Sequence, residues 1–262
     1  MENMQRVLFH STIFGPIHSR RLGTSLGVNL TPNDGKICSF DCLYCEAGFN
    51  AQGPGTTGFA PRSEVARLLE EKLAEMKRAG EGLDVITFSG NGEPTLHPEF
   101  AGVVDDTLRL RDSYFPQAKV SVLTNSTRLG SCEVREALKK VDNNILKLDS
   151  AIDATVKLLD RPNDPGFGCE RVIGQLEEFA GTGIVQTMML RGEWEGQRID
   201  NTTDEEIEAL IEAYRRIRPR EIMLYSIDRQ TPARTLEKIP VEELRAIGDR
   251  VSRATSIPVL VS

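Results

Sequence analysis

The stretch PRSEVARLLEEKLAEMKRAGEGLDVITFSG, residues 61–90, sets one helix directly before one strand. Val65, Leu68, Leu69, Leu73 and Met76 recur at helical spacing, so they share one face. Ser63 stands at a plausible N-cap and Gly80 at a plausible stop. LDVITFSG is then a short apolar run ending in glycine, the pattern of a strand buried on both faces of a parallel sheet.

The same beat continues in both directions. Upstream, TSLGVNLTP (24–32) reads as a strand. Downstream, a helix over about 99–112 precedes the strand KVSVLTNS (119–126), and SCEVREALKKV (131–141) precedes NNILKLDSAI (143–152). The helix CERVIGQLEEFAGTG (169–183) leads to IVQTMMLRG (184–192), and TTDEEIEALIEAYRRIRP (202–219) to EIMLYSID (221–228). PVEELRAIGDRVSRAT (240–255) and IPVLVS (257–262) close the series. About six strand–helix units and a terminal strand imply an α/β fold with parallel strands and right-handed crossovers. Eight units would make a full barrel. An open, partial (β/α)6 barrel therefore fits better than either that or a doubly wound sheet. We expect one domain over 1–262, with its core at about 14–230, a short N-terminal extension and a C-terminal extension at about 231–262.

The 262 residues are 39% hydrophobic and 27% charged, an ordinary globular balance. A net charge of −7 advertises no broad nucleic-acid or membrane footprint. No apolar run approaches the ~20 residues that span a bilayer. MENMQRVLFHSTIF lacks a charged segment followed by a long apolar one, so no signal peptide is expected. Five cysteines, three of them clustered, argue against a secreted disulfide framework and for a reducing, cytoplasmic setting.

The cluster, Cys38, Cys42 and Cys45 in KICSFDCLYCEAGFN (36–50), opens the longest irregular stretch, Cys38 to Gly58. Long loops usually carry function, and this one would open on the C-terminal face of a barrel. Three readings compete. A zinc site needs a fourth ligand or a water, and His97, Asp41, Cys132 or Cys169 would have to supply it from afar. A Cys42–Cys45 redox pair leaves Cys38 without a task. A [4Fe–4S] cluster held by three thiolates leaves one iron open to a ligand that is not protein.

The spacing C-x3-C-x2-C with Tyr44 before the last cysteine resembles the signature of the radical S-adenosylmethionine (SAM) superfamily. GNGEP (90–94), at the end of the strand after the cysteine loop, resembles that superfamily's Gly-Gly-Glu motif, with Asn91 in place of the first glycine. GPIHSRRLGTSLG (15–27), CSFDCLYC (38–45), ITFSGNGEPTL (86–96), LTN (123–125), LDS (148–150, for the usual LDA) and RPN (161–163) are similar to a stand-alone branch. That branch is related to the iron–sulfur enzyme of wybutosine synthesis, which remodels a guanosine in tRNA.

The resemblance implies that Cys38, Cys42 and Cys45 hold a [4Fe–4S] cluster whose open iron chelates SAM. Reductive cleavage then yields a 5′-deoxyadenosyl radical that takes hydrogen from a substrate. It implies that Gly92 and Glu93 bind the methionine amino group, with Tyr44, Asn125, Lys147 and Asp149 as further cofactor-binding candidates. Lys147 and Asp149 also share a strand face by their spacing of two, where a structural ion pair is the bland alternative. Arg20 and Arg21 suit an anionic substrate, or surface carboxylates, and Tyr225, near the mouth, is a substrate-pocket candidate. Met188 and Met189 read as core or as packing for adenine, and Cys132 and Cys169 as small buried hydrophobes. The expected partners are an external reductant such as flavodoxin or ferredoxin and a nucleoside or tRNA substrate; a peptide or small metabolite is the second choice. The alternative of another class is a non-catalytic metal-binding or electron-carrier protein.

Overall fold

The computed structural model of the protein describes residues 6–19 and 23–262. In chain order the elements are β1 (Ile13–Ser19), β2 (Gly23–Val28), α1 (Arg62–Ala79), β3 (Val85–Phe88), α2 (Phe100–Tyr114) and β4 (Lys119–Thr124). There follow α3 (Cys132–Lys140), β5 (Asn143–Lys147), α4 (Asp153–Leu159), α5 (Cys169–Leu176) and β6 (Ile184–Trp194). The last are β7 (Gln197–Asp200), α6 (Asp204–Ile217), β8 (Glu221–Ser226), β9 (Leu236–Lys238), α7 (Val241–Thr255) and β10 (Val259–Val261).

Parallel pairing runs β2–β3–β4–β5–β6–β8–β10. Each strand joins its sequence neighbour, apart from the inserted β7 and β9, as serial strand–helix units require. The path has two ends, β1 and β10, so the sheet curls without closing. This is the expected partial barrel. β1, absent from the sequence reading, lies antiparallel on β2. β7 and β9 both pair antiparallel with the extended outer half of β6.

The helices cover the outer face. α1 buries Val65, Leu69, Leu73 and Met76 and ends at Gly80, whose φ of 68° is the left-handed cap that glycine accepts without strain. Its N-cap is Pro61 rather than Ser63, because a proline ring presets the entry to a helix and Ser63 already lies inside the first turn. All four residues of β3 are buried, as a central parallel strand demands. Inside the curl, Ile145, Ile184 and Met223 form a separate small apolar cluster, with Leu123 packed against it.

Strand β5 stops at Lys147, well before the expected 152. Residues 148–152 instead turn into α4, which the sequence reading did not separate from its surroundings. Met188 and Met189 are buried among other side chains, the plain core role. Cys169 is buried as expected, whereas Cys132 is exposed, because it occupies the first turn of α3 on the outer face.

Candidate active site

Residues 29–61 bridge β2 and α1 and carry the three cysteines. Two segments hold this loop over the strand ends. Ile37 bridges to Gly92 in parallel fashion, and the Glu93 N–H donates to the Ile37 carbonyl at 3.0 Å. A Cβ on Gly92 would stand 1.8 Å from that carbonyl oxygen, so the position requires glycine for seating the loop.

Residues 159–163 supply the second hold. Leu43 N–H donates to Leu159 O (3.0 Å), Asp41 N–H to Asp160 O (2.9 Å), and Asn163 N–H to Ser39 O (2.9 Å). The Asn163 amide adds a bond to Cys38 O at 2.9 Å. RPN thus works as a backbone clamp on the cysteine loop. Arg161, with φ of 49°, sets its guanidinium over the rings of Phe49 and Trp194.

Cys42 is buried, and Cys38 and Cys45 are half-buried. Burial, with the Glu93 charge second, pushes the Cys38 thiol up to about 12. Burial likewise pushes Cys42 well above the ordinary range, against the pull of Lys147. Such thiols lose their protons only to a metal that takes their place. Lys36 is buried beneath the loop and donates to Gly48 O at 2.7 Å. Burial works against its charge, yet Cys45, Cys38, Cys42 and Asp41 together hold it above the ordinary lysine value. The three thiols thus act on one lysine.

Among the described residues, no group of three or more His, Cys, Asp and Glu side chains converges closely enough for a single metal ion. A cubane does not require such convergence, since each thiolate grips a different iron. The distant fourth ligands weighed for zinc are otherwise engaged. His97 accepts from Glu99 N–H at Nδ1 (3.0 Å) and donates from Nε2 to Ala60 O (2.8 Å). Asp41 pairs with Lys36 and Arg161, both at 3.5 Å. Cys169 contacts Ser150 O, and Cys132 faces outward.

Beside Cys42 lies a buried polar hub. Lys147 Nζ is 3.3 Å from Cys42 Sγ, 2.8 Å from Asp149 and 2.6 Å from Asp160, and it also reaches the Tyr44 hydroxyl. Its ammonium lies over the faces of Tyr44 and Phe40. Tyr44 donates to Asp149, which also accepts from Met188 N–H at 2.9 Å. Burial opposes the charge on Lys147, but Asp149 and Asp160 keep its pKa well above the ordinary value. Asp160, which the sequence did not single out, is raised by its burial, partly offset by Lys147. Tyr225 belongs to the same neighbourhood: its side chain packs on the apolar cluster that includes Tyr44 and interacts electrostatically with Lys147.

Glu93 is buried at the junction of β3 and β4. Oε1 accepts from Thr95 N–H (3.1 Å), Thr95 Oγ1 (2.6 Å) and Thr124 Oγ1 (2.7 Å), while Oε2 accepts from Asn125 N–H (2.7 Å). Burial raises its pKa, and these donors oppose the rise. The Asn125 amide reaches Ser39 Oγ at 2.9 Å and Cys38 Sγ at 3.5 Å. Cys38, Cys42, Cys45, Tyr44, Glu93, Asn125, Lys147, Asp149 and Tyr225 are thus gathered at one mouth. Arg20 and Arg21 lie outside the described residues.

Asn91 was noted in sequence only as a departure from a glycine pair. It is fully buried and works as a clasp. Its Oδ1 accepts from Phe9 N–H, and its Nδ2 donates to Phe9 O and Pro32 O, each at 2.8 Å. The amide thereby ties the N-terminal arm to the end of β3.

Comparison with known proteins bears on the family and the fold. The pattern of the Radical SAM superfamily matches residues 33–193. A protein of Brachyspira hyodysenteriae named GTPase Obg is 29% identical over 235 residues, which are 88% of this chain and 32% of that protein. A UPF0026 protein of Synechocystis sp. is 32% identical over 227 residues, 84% of this chain and 77% of its own length. The chain therefore spans about a third of the first relative and most of the second. Among solved structures, a radical SAM methyltransferase from Sphaerobacter thermophilus gives a TM-score of 0.65 at 18% identity, covering 91% of this chain and 65% of the other. TYW1 with a lysine-pyruvate adduct gives 0.59 at 14% identity, covering 90% and 76%. At such identities the two structures speak for the fold.

Proposed function

Because this chain belongs to the radical SAM superfamily, we propose that it is an enzyme that binds one [4Fe–4S] cluster through Cys38, Cys42 and Cys45 and cleaves SAM reductively. The observation that carries the reading is the set of three free cysteines on one loop, which is seated on the Gly92–Glu93 strand end. When bound, the cluster and SAM supply an electron and a 5′-deoxyadenosyl radical, the hard chemistry that a protein borrows from a cofactor.

The chain's own residues bind and orient. Among the described residues, Oε2 of Glu93 accepts from Asn125 N–H alone and keeps capacity for the ammonium of methionine. The Asn125 side-chain amide donates to Cys38 Sγ and steadies it, and Lys147 does the same for Cys42. An ammonium has three N–H groups, and Lys147 already faces four acceptors. A methionine carboxylate would have to displace one of them. We therefore assign Lys147, Asp149 and Tyr44 to the wall that fixes Cys42, with cofactor contact through Tyr44 and substrate contact through Tyr225. The substrate we propose is of nucleoside or tRNA type, and the electron comes from an external flavodoxin or ferredoxin.

Anaerobic reconstitution tests this reading. We expect about four irons per chain and 5′-deoxyadenosine released from SAM under dithionite, with Cys42→Ala losing both. A colourless protein with one tightly held zinc and no cleavage overturns it. Retention of tRNA on a filter at low salt, where phosphate contacts are strongest, tests the substrate class.

A further inference from the structure

The inner face of the curled sheet lines a half-open cavity of about 180 Å3. Its floor is apolar, made by Leu123, Ile145 and Met223. One step farther along their strands lie Asn125, Lys147 and Tyr225. Two residues along a strand return to the same face, about 7 Å away. The cavity therefore lies directly beneath the mouth that gathers the cysteines.

Its outer wall is aromatic. Phe9 and Phe14 stack with centroids 3.8 Å apart and planes 19° apart, and both line the cavity. Phe14 lies so close over β2 that a Cβ on Gly27 would meet its ring at 2.1 Å. Phe9 is held there by both its backbone groups through the Asn91 clasp. Phe9 and Phe14 thus form a fixed aromatic wall.

The polar groups are few. The Ser25 and Thr87 hydroxyls bond to each other at 2.9 Å. The Ser89 hydroxyl and the half-buried Gln186 amide line the same space, and neither has a hydrogen-bond partner among the described residues. No charged side chain among the described residues lines the cavity. A charged group placed there would be desolvated without a counter-charge, at high cost. A neutral ring would bury its faces against aromatic and aliphatic side chains. A polar edge on that ring would meet the amide and the hydroxyl, which discriminate strongly when left unpaired.

We propose that this cavity receives an uncharged, planar heteroaromatic ring of the substrate, with its edge read by Gln186 and Ser89 and its anionic groups kept outside. The proposal rests on the enzymatic reading above and names the part of the substrate that enters. Gln186 and Phe14 then set specificity.

The test uses the anaerobic holoprotein, saturated with S-adenosylhomocysteine so that the cofactor position is filled. Uracil, its anionic 6-carboxylate (orotate) and benzene serve as ring probes in ligand-detected NMR. We expect uracil to bind and orotate to bind at least about tenfold more weakly, a difference of about 1.4 kcal/mol. Gln186→Leu should weaken uracil and spare benzene, while Phe14→Ala should weaken both. Equal binding of uracil and orotate overturns the proposal, as does a Gln186→Leu variant that holds uracil unchanged. Uracil that binds only when S-adenosylhomocysteine is withheld also overturns it, since the space would then be the cofactor's. Failure of the wild-type protein to release 5′-deoxyadenosine sinks the enzymatic reading by a separate measurement and leaves ring binding to be read on its own.

Discussion

Asn91 shows how much one residue can do that a motif comparison does not explain. The sequence marked it only as a missing glycine. The structure gives it three side-chain hydrogen bonds, two of which copy the pairing of a β-bridge to Phe9. No periodicity announces such a contact, because its partner lies 82 residues away. Replacement by alanine leaves the buried Pro32 carbonyl and the half-buried Phe9 carbonyl and N–H without this partner, at about 1–3 kcal/mol for each group that water does not reach. We expect Asn91→Ala to lower the denaturation midpoint measurably and to expose the arm around Phe9 to limited proteolysis. An unchanged digestion pattern would mean that the clasp holds nothing. The cysteines and Gly92, by contrast, were legible at once. Thiol spacing is a property of sequence alone, and a glycine at a strand end signals a close approach, here to the Ile37 carbonyl.

Elements were legible wherever an apolar face was long enough to show its period. All the expected parallel strands are present, and so are the helices that alternate with them. What escaped was short or irregular. α4 has seven residues and buries only Val156 and Leu159, too few to reveal a helical repeat. β7 and β9 pair with β6 outside the main sheet, and their four and three residues carry little alternation. Strand β5 was read too long because apolar residues continue past Lys147, although the chain turns there to deliver Asp149 into the hub. Of the two caps read for α1, the stop at Gly80 is present and the start is at Pro61 rather than Ser63. Thr203, within a run read as helical, is the N-cap of α6 and accepts from Glu206 N–H at 3.4 Å. Thr203→Ala should cost about 1 kcal/mol, visible as a lower midpoint in urea, whereas Thr203→Ser should stay near wild type.

For the molecule as a whole, the curled sheet puts polar chemistry at one mouth and seals its outer side with helices. One buried carboxyl couples that outer layer to acidity. Glu206 on α6 is 5% exposed and accepts hydrogen bonds from Ser150 at 2.6 Å and from Thr155. Burial raises its pKa above the ordinary 4.5, and the two hydroxyls only partly oppose this. In the window between 4.5 and the raised value, the folded chain holds a proton that the unfolded chain has released. Stability contributed by that proton is complete below the window and is lost as pH rises through it. Glu206→Gln has no such window. Its stability relative to wild type should therefore increase from pH 4 toward pH 7 in parallel denaturation curves. A constant difference across that range would remove Glu206 from the titrating groups.

The clamp between the cysteine loop and RPN has a consequence in time. The strands of the sheet pair mostly with the neighbours made just before them, so the barrel can assemble progressively as a ribosome extends the chain. Cys38 must wait for Asn163, which is synthesised 125 residues later. At about 5–20 residues per second, that leaves the three thiols without their final shelter for roughly six to twenty-five seconds of every chain's birth, in contact with whatever metal or oxidant the surroundings hold.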